Sequence, residues 1–258
     1  MFKKSIYSVF NTKIVLVILD AIFVFWLYSA LELKMMVDFY IISISFVFPV
    51  VFTITSAYNK RQESLAHFYV IRTKIIELSN IFSAVKEIPK TKKKTFNHLL
   101  LNTHKEVHIT LSNSSKEINI NTLRRRSKEI YDFIINYNEH LSEIEKNRTF
   151  VVKNEIFSKI ELLTALESHG TPISLRNYCL VFIYLFPWIY TPSLIQDTES
   201  LSQDYSMYMA IVFSVFISFI LMALFNVQSF IENPFDQKGL DDIKLNEFEI
   251  DESELGEL

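Results

Sequence analysis

Four long runs almost free of charge govern what this chain can fold into: residues 14–30, 39–57, 177–195 and 208–227. A helix of about 20 apolar residues crosses a hydrocarbon core of roughly 30 Å. Backbone in lipid must satisfy its own hydrogen bonds, so each run is expected to span as a helix. A soluble core of four such helices is the competing arrangement, but soluble helices keep a polar face and these runs have none. The basic flank "MFKK" suits a signal peptide, yet no small-x-small site follows and the first run is long for a signal core, so it reads as a retained helix.

Lys and Arg are distributed unevenly along the chain. Three precede the first run, one (Lys34) separates the first two, twenty lie between the second and third, none between the third and fourth, and two follow. The positive-inside rule places both termini and the long middle region in the cytoplasm, with Lys60, Arg61 and Arg176 at the membrane ends. The resulting organisation is 1–57 (an N-terminal segment and two spans), 58–175 (cytoplasmic), 176–227 (two spans) and 228–258 (a cytoplasmic acidic turn and tail). The net charge of −3 gives no pull toward nucleic acid. The single cysteine, Cys179, excludes an intrachain disulfide or a multi-cysteine metal site. Gly170, Gly239 and Gly256 are too scattered for a phosphate loop.

The middle region carries helical periodicity. Leu65, Phe68, Ile71, Ile75, Leu78 and Phe82 recur at steps of three and four, a single apolar stripe. No Pro or Gly occurs between Val50 and Pro89, so the second span is expected to run on into this stripe. Pro89 and "KTKKK" mark a turn. Ile130, Phe133, Ile134, Tyr137, Leu141 and Ile144 predict another helix, and residues 150–168 a further one. The expected class is an all-α membrane protein with a cytoplasmic helical bundle.

Few residue constellations suggest chemistry. His104 and His108 are four apart, as two ligands on one helix face would be, but "HKEVH" lacks the carboxylate placement of a metalloprotease, and the pair reads as solvated. Arg124, Arg125 and Arg126 suit either an anionic lipid or nucleotide, or a solvated basic face. The sequons "NSS" and "NRT" fall on the cytoplasmic side. No nucleophile signature is present, and neither a cofactor nor a resident metal is expected. Asp20 lies in mid-span, where an ionised carboxylate costs at least ~2.5–3.5 kcal/mol. It reads either as an ion-pathway or pH-sensing group, or as a hydrogen-bonded contact between spans.

Three segments in order resemble the bestrophin family. "FTITSAYNKRQE" is similar to its second-helix signature through Phe52, Ala57, Tyr58 and Glu63, departing from the bacterial pattern at Thr53, Arg61 and Gln62. "TPIS" resembles the lead-in to the third span. "FIENPFDQKGLDDIKL" resembles the post-membrane turn through Glu232, Pro234, Phe235, Asp241 and Leu245.

That resemblance implies a homopentameric ion channel in the bacterial inner membrane, surrounded by lipid and passing small monovalent ions. The second helix would line the pore, with Ile42, Phe46 and Val50 as an apolar neck drifting about 40° per step and gating by dewetting. The same three residues equally suit a lipid-facing or bundle-core stripe. Pro49 stands where the family often has Gly and frees the carbonyl of Ser45. Ile144 is the implied cytoplasmic aperture. Glu232, Asp236, Asp241 and Asp242 form the acidic turn where animal members bind calcium; Gln237 and Lys238 argue against that here. Phe235 would anchor the turn, and the acidic tail after it would form a loose rim that concentrates cations. Animal members pass anions and bacterial relatives can favour cations, so selectivity stays open. The alternative is a membrane-anchored scaffold whose cytoplasmic helices bind a partner.

Overall fold

A computed structural model of the protein describes residues 11–33, 39–112, 120–169, 172–199, 206–236 and 242–256. Seven α-helices are present among them: α1 (Thr12–Ala30), α2 (Phe39–Ala84), α3 (Lys90–Ser112), α4 (Ile120–Asn136), α5 (Glu143–Ser168), α6 (Ile173–Glu199) and α7 (Ser206–Ile231). Short 3-10 turns lie at Asn138–His140, Leu245–Phe248 and Glu252–Glu254. The described residues contain no strand. They divide into two compact units, one from residues 11–59 and 172–232, the other from 60–169, 233–236 and 242–256.

In the first unit, α1, α6 and α7 pack on one another with the start of α2. Ile14 and Val17 of α1, Val50 of α2, Cys179, Ile183 and Phe186 of α6, and Leu221, Met222 and Phe225 of α7 share one core. The stretches long and apolar enough to cross a bilayer include Thr12–Ala30, Met207–Ile231 and a third whose apolar part is α6. The outward faces of these helices are large and apolar, as with Leu16, Leu19, Phe23 and Trp26 on α1. Inside, Thr191 and Ser214 hydroxyls lie 3.1 Å apart between α6 and α7, and within α7 Ser218 Oγ donates to the Ser214 carbonyl.

The second unit is built on α2. As the absence of breakers predicts, the helix runs unbroken from Phe39 to Ala84, and Phe68, Ile71, Ile75, Leu78 and Phe82 are buried. The buried stripe starts earlier, however: Val50, Thr53, Ala57, Lys60 and Ser64 precede them at the same steps of three and four. An aromatic ladder joins α2 to α3 and α4, with ring centroids at 4.2 Å for Phe82–Phe96 and 4.7 Å for Phe96–Phe133. Ser79 Oγ donates to Asn97 Oδ1 at 2.8 Å, and the buried ammonium of Lys93 donates to the Ser83 carbonyl at 2.8 Å, closing the end of α2.

Two expectations are corrected here. The stripe from Ile130 to Ile144 does not lie on one helix: α4 ends at Asn136, and a new helix starts after Ser142. Ser142 caps α5, its hydroxyl accepting from the Glu145 amide while the Glu145 carboxylate accepts from the Ser142 amide. The acidic tail is also not loose. Ile243, Leu245, Ile250 and Leu255 are buried, Arg72 pairs with Glu254, and the Gly256 amide donates to Ser79 Oγ at 3.1 Å. Ser83 Oγ donates back to the Gly256 carbonyl at 3.3 Å, and a Cβ at 256 would fall on the Ser83 side chain, so the approach requires glycine.

Ser142→Ala removes the cap and is expected to lower stability by about 1 kcal/mol. Thermal unfolding of the detergent-solubilised protein checks it, with Ser142→Thr expected to retain most of the cap.

Candidate functional site

The implied neck lies on α2, and its residues fare differently. The side chains of Ile42 and Phe46 lie outside the described residues. Val50 is 4% exposed, covered by α1, α6 and α7 of its own chain, and so belongs to the bundle core. A side chain enclosed by its own protomer has no surface left to offer a pore, which removes Val50 from the expected stripe. Thr53 and Ala57 share its buried face. Another stripe on the same helix is open. Ile44, Phe48 and Phe52, also four apart, are 66%, 70% and 59% exposed, flanked by Val47 and Val51. Pro49 sits within the continuous helix. One turn on, Thr53 and Thr55 turn their hydroxyls back to the carbonyls of Val50 and Val51, both at 2.9 Å, which shields these acceptors from an apolar surround.

A second feature gathers around Trp188. Its helix, α6, contains Pro187 and Pro192. Proline has no N–H, so Pro192 leaves the carbonyl four residues earlier, that of Trp188, without its helical donor. Tyr28 of α1 supplies the missing proton, its hydroxyl donating to the Trp188 carbonyl at 3.1 Å. The indole N–H of Trp188 in turn donates to Asp20 Oδ1 at 3.3 Å, and Phe23 packs edge-on against the indole. Asp20 therefore makes the contact between spans that was one of its two readings, although its second oxygen, Oδ2, is buried with no partner among the described residues. The sequence missed Tyr28, and the signal was available: an intramembrane proline orphans a nameable carbonyl, and a hydroxyl in a neighbouring span is the natural donor.

The acidic turn resolves into separate roles. Glu232 is buried and pairs with Arg176 at 3.2 Å. Phe235 is fully buried and reaches Phe68 at 6.3 Å, the anchor expected of it, while the Ile243 amide donates to the Pro234 carbonyl at 2.7 Å. Asp236 lies near Glu167, whose carboxyl is pushed above its ordinary range by burial; Lys60 opposes the shift and Asp236 adds to it. Asp242 lies half-buried in the second unit, and Asp241 lies outside the described residues. Among the described residues, no group of three or more His, Cys, Asp or Glu side chains converges as a metal-ligand set.

Elsewhere the cytoplasmic readings sort themselves. Ile144 is 81% exposed in the first turn of α5, beside an open groove of about 480 Å³ lined by Ile76, Ile81 and Arg148. Of the three arginines, Arg124 pairs with Glu161, and Arg125 and Arg126 both pair with Glu129. His104 and His108 are not solvated, which corrects that expectation. His104 is buried, its ring 4.5 Å from that of His108, and both rings lie against Phe68.

No protein-family model and no curated protein matches the chain. Solved structures do. A crystal structure of a bacterial bestrophin homologue from Klebsiella pneumoniae superposes with a TM-score of 0.72 at 16% identity, over 92% of this chain and 93% of that one. A tryptophan-to-alanine form of the homologue gives 0.72 over 96% and 93%, also at 16% identity. A crystal structure described as a membrane protein gives 0.71 over 92% and 93%, at the same identity. The all-helical fold is therefore that of the bacterial bestrophin homologues, over nearly the full length of both chains.

The Trp188 carbonyl offers a test. Tyr28→Phe is expected to cost about 1 kcal/mol by stripping the Trp188 carbonyl of its donor. Pro192→Ala restores an N–H at 192, so in that background the same change is expected to cost up to about 1 kcal/mol less. Thermal unfolding of the two single variants and the double variant measures the coupling.

Proposed function

We propose that the chain is one subunit of a bestrophin-like channel, a homopentamer in the bacterial inner membrane that passes small monovalent ions passively and does no covalent chemistry. Four spans per subunit are proposed, the start of α2 being the second, with both termini in the cytoplasm. The observation that carries this reading is the bestrophin fold over 92% of the chain, together with an α2 that presents an open apolar stripe. The neck proposed from that exposure is Ile44, Phe48 and Phe52. Five copies would place these side chains around an axis, where apolar rings hold back water and so oppose ion passage without binding the ion. Ile42, two residues before Ile44, and Phe46, between Ile44 and Phe48, remain proposed neighbours of this constriction. Ile144 is proposed as a second, cytoplasmic ring, consistent with its exposure.

Selectivity is not written into an uncharged neck. The carboxylates of the C-terminal segment favour cations near the cytoplasmic mouth, and ion-substitution reversal potentials decide the sign.

In planar bilayers, Phe48→Ala is expected to raise the unitary current several-fold by widening the dewetted zone. Val50→Ala, a core truncation, is expected to lower the melting temperature and leave the current unchanged. Purified wild-type protein silent at every voltage, or monomeric by mass photometry, would instead support the anchored-scaffold reading.

A further inference from the structure

The second unit contains a titratable pair that the proposed channel does not use. His104 and His108 sit one turn apart on α3, and the C-terminal segment 242–256 lies over them as a strap. Phe248 of the strap meets Phe68 of α2 edge-on at 5.2 Å, and Phe68 faces both imidazoles, at 5.9 Å for His104 and 5.0 Å for His108. His104 is 2% exposed. Nε2 of each ring is buried with no hydrogen-bond partner among the described residues. These nitrogens have no acceptor waiting for a proton, so the site is built for neutral rings.

The charges around the pair come from each element packed against it. On α3 the histidines face one another. From α2, Arg72 faces His104. From the strap, Glu249 faces His108, and Glu254 is engaged with Arg72. Protonating both rings would set two imidazolium charges beside a guanidinium whose carboxylate is already committed, leaving only Glu249 to offset them.

We propose that the strap is acid-released: it stays seated while His104 and His108 are neutral, and protonation of the pair unseats residues 242–256 and uncovers Phe68 beneath Phe248.

Burial first, then His108 and Arg72, hold His104 down at about 3, and burial holds His108 below its ordinary value against the pull of Glu249. The sign follows. A base whose docked pKa lies below its free value supports docking above the free value, about 6.5, and withdraws that support as pH falls below it. At pH 5 a His104 that regains its ordinary pKa once the strap lifts disfavours docking by on the order of 30-fold relative to pH 8, and His108 acts in the same direction. The strap is the element to yield because it is short, built of 3-10 turns and extended chain, and tied mainly by the Gly256 bonds, the Arg72 pair and four buried aliphatic side chains.

Hydrogen–deuterium exchange on the full chain in detergent, corrected for intrinsic rates, tests this at pH 8 and pH 5. Peptides covering 243–256 are expected to lose protection on the order of 30-fold at pH 5, while peptides from α4 and α5 hold theirs. The His104→Gln/His108→Gln double variant is expected to keep the strap protected at pH 5. Should that variant fail to fold, Glu249→Gln serves instead: it removes the carboxylate that offsets His108 and is expected to move release to higher pH. Equal strap protection at both pH values in the wild type overturns the proposal. So does acid release that persists in the double variant, which would assign it to the strap's carboxylates, or a loss of protection spread equally over α4 and α5.

Discussion

A single helix, α2, runs from Phe39 to Ala84 through both compact units without a break. On α2 the residues from Val50 to Phe82 that face inward follow each other at steps of three and four, through Thr53, Ala57, Lys60, Ser64, Phe68, Ile71, Ile75 and Leu78. A helix of 3.6 residues per turn keeps such a series on one side. The composition of that face changes along its length. Small and hydroxylated residues, Thr53 and Ala57, follow Val50, then a buried lysine and serine, Lys60 and Ser64, and large aliphatic and aromatic side chains from Phe68 onward.

Inside the bilayer the governing cost is an unpaired backbone group. Pro192 creates one in α6, and Tyr28 of α1 answers it, which fixes the two helices to each other at a defined height. Trp188 then anchors the contact a second time through its indole and Asp20. The carboxylate that stands out in the sequence as an isolated charge is, in three dimensions, an acceptor serving a tryptophan. The partner was out of sight because hydrophobic periodicity reports which face is apolar and says nothing about which residue 160 positions away fills a vacancy.

Periodicity made most of the helical architecture legible. The run-on of the second span, the turn at Pro89 and the buried face from Phe68 to Phe82 all follow from spacing and the placement of breakers. Two local signals went unused. The S-x-x-E pattern at Ser142 is a helix start, and it separates Ile144 from the stripe that appeared to contain it. The spacing of four that selected Ile42, Phe46 and Val50 fits Ile44, Phe48 and Phe52 equally well, and only the packing of Val50 against α1, α6 and α7 tells the two sets apart. The acidic tail misled for a different reason: its carboxylates alternate with Ile243, Leu245, Phe248, Ile250 and Leu255, and an average over the segment hides the apolar set that seats it.

The lysine run after Pro89 has a chemical corollary. Lys90, Lys92 and Lys94 are exposed, whereas the ammonium of Lys93 is committed to the Ser83 carbonyl at the end of α2. Four identical amines within five positions therefore differ in availability to an acylating reagent or enzyme. Acylation at Lys92 or Lys94 falls on an exposed amine; at Lys93 it would pull the stopper from the end of α2.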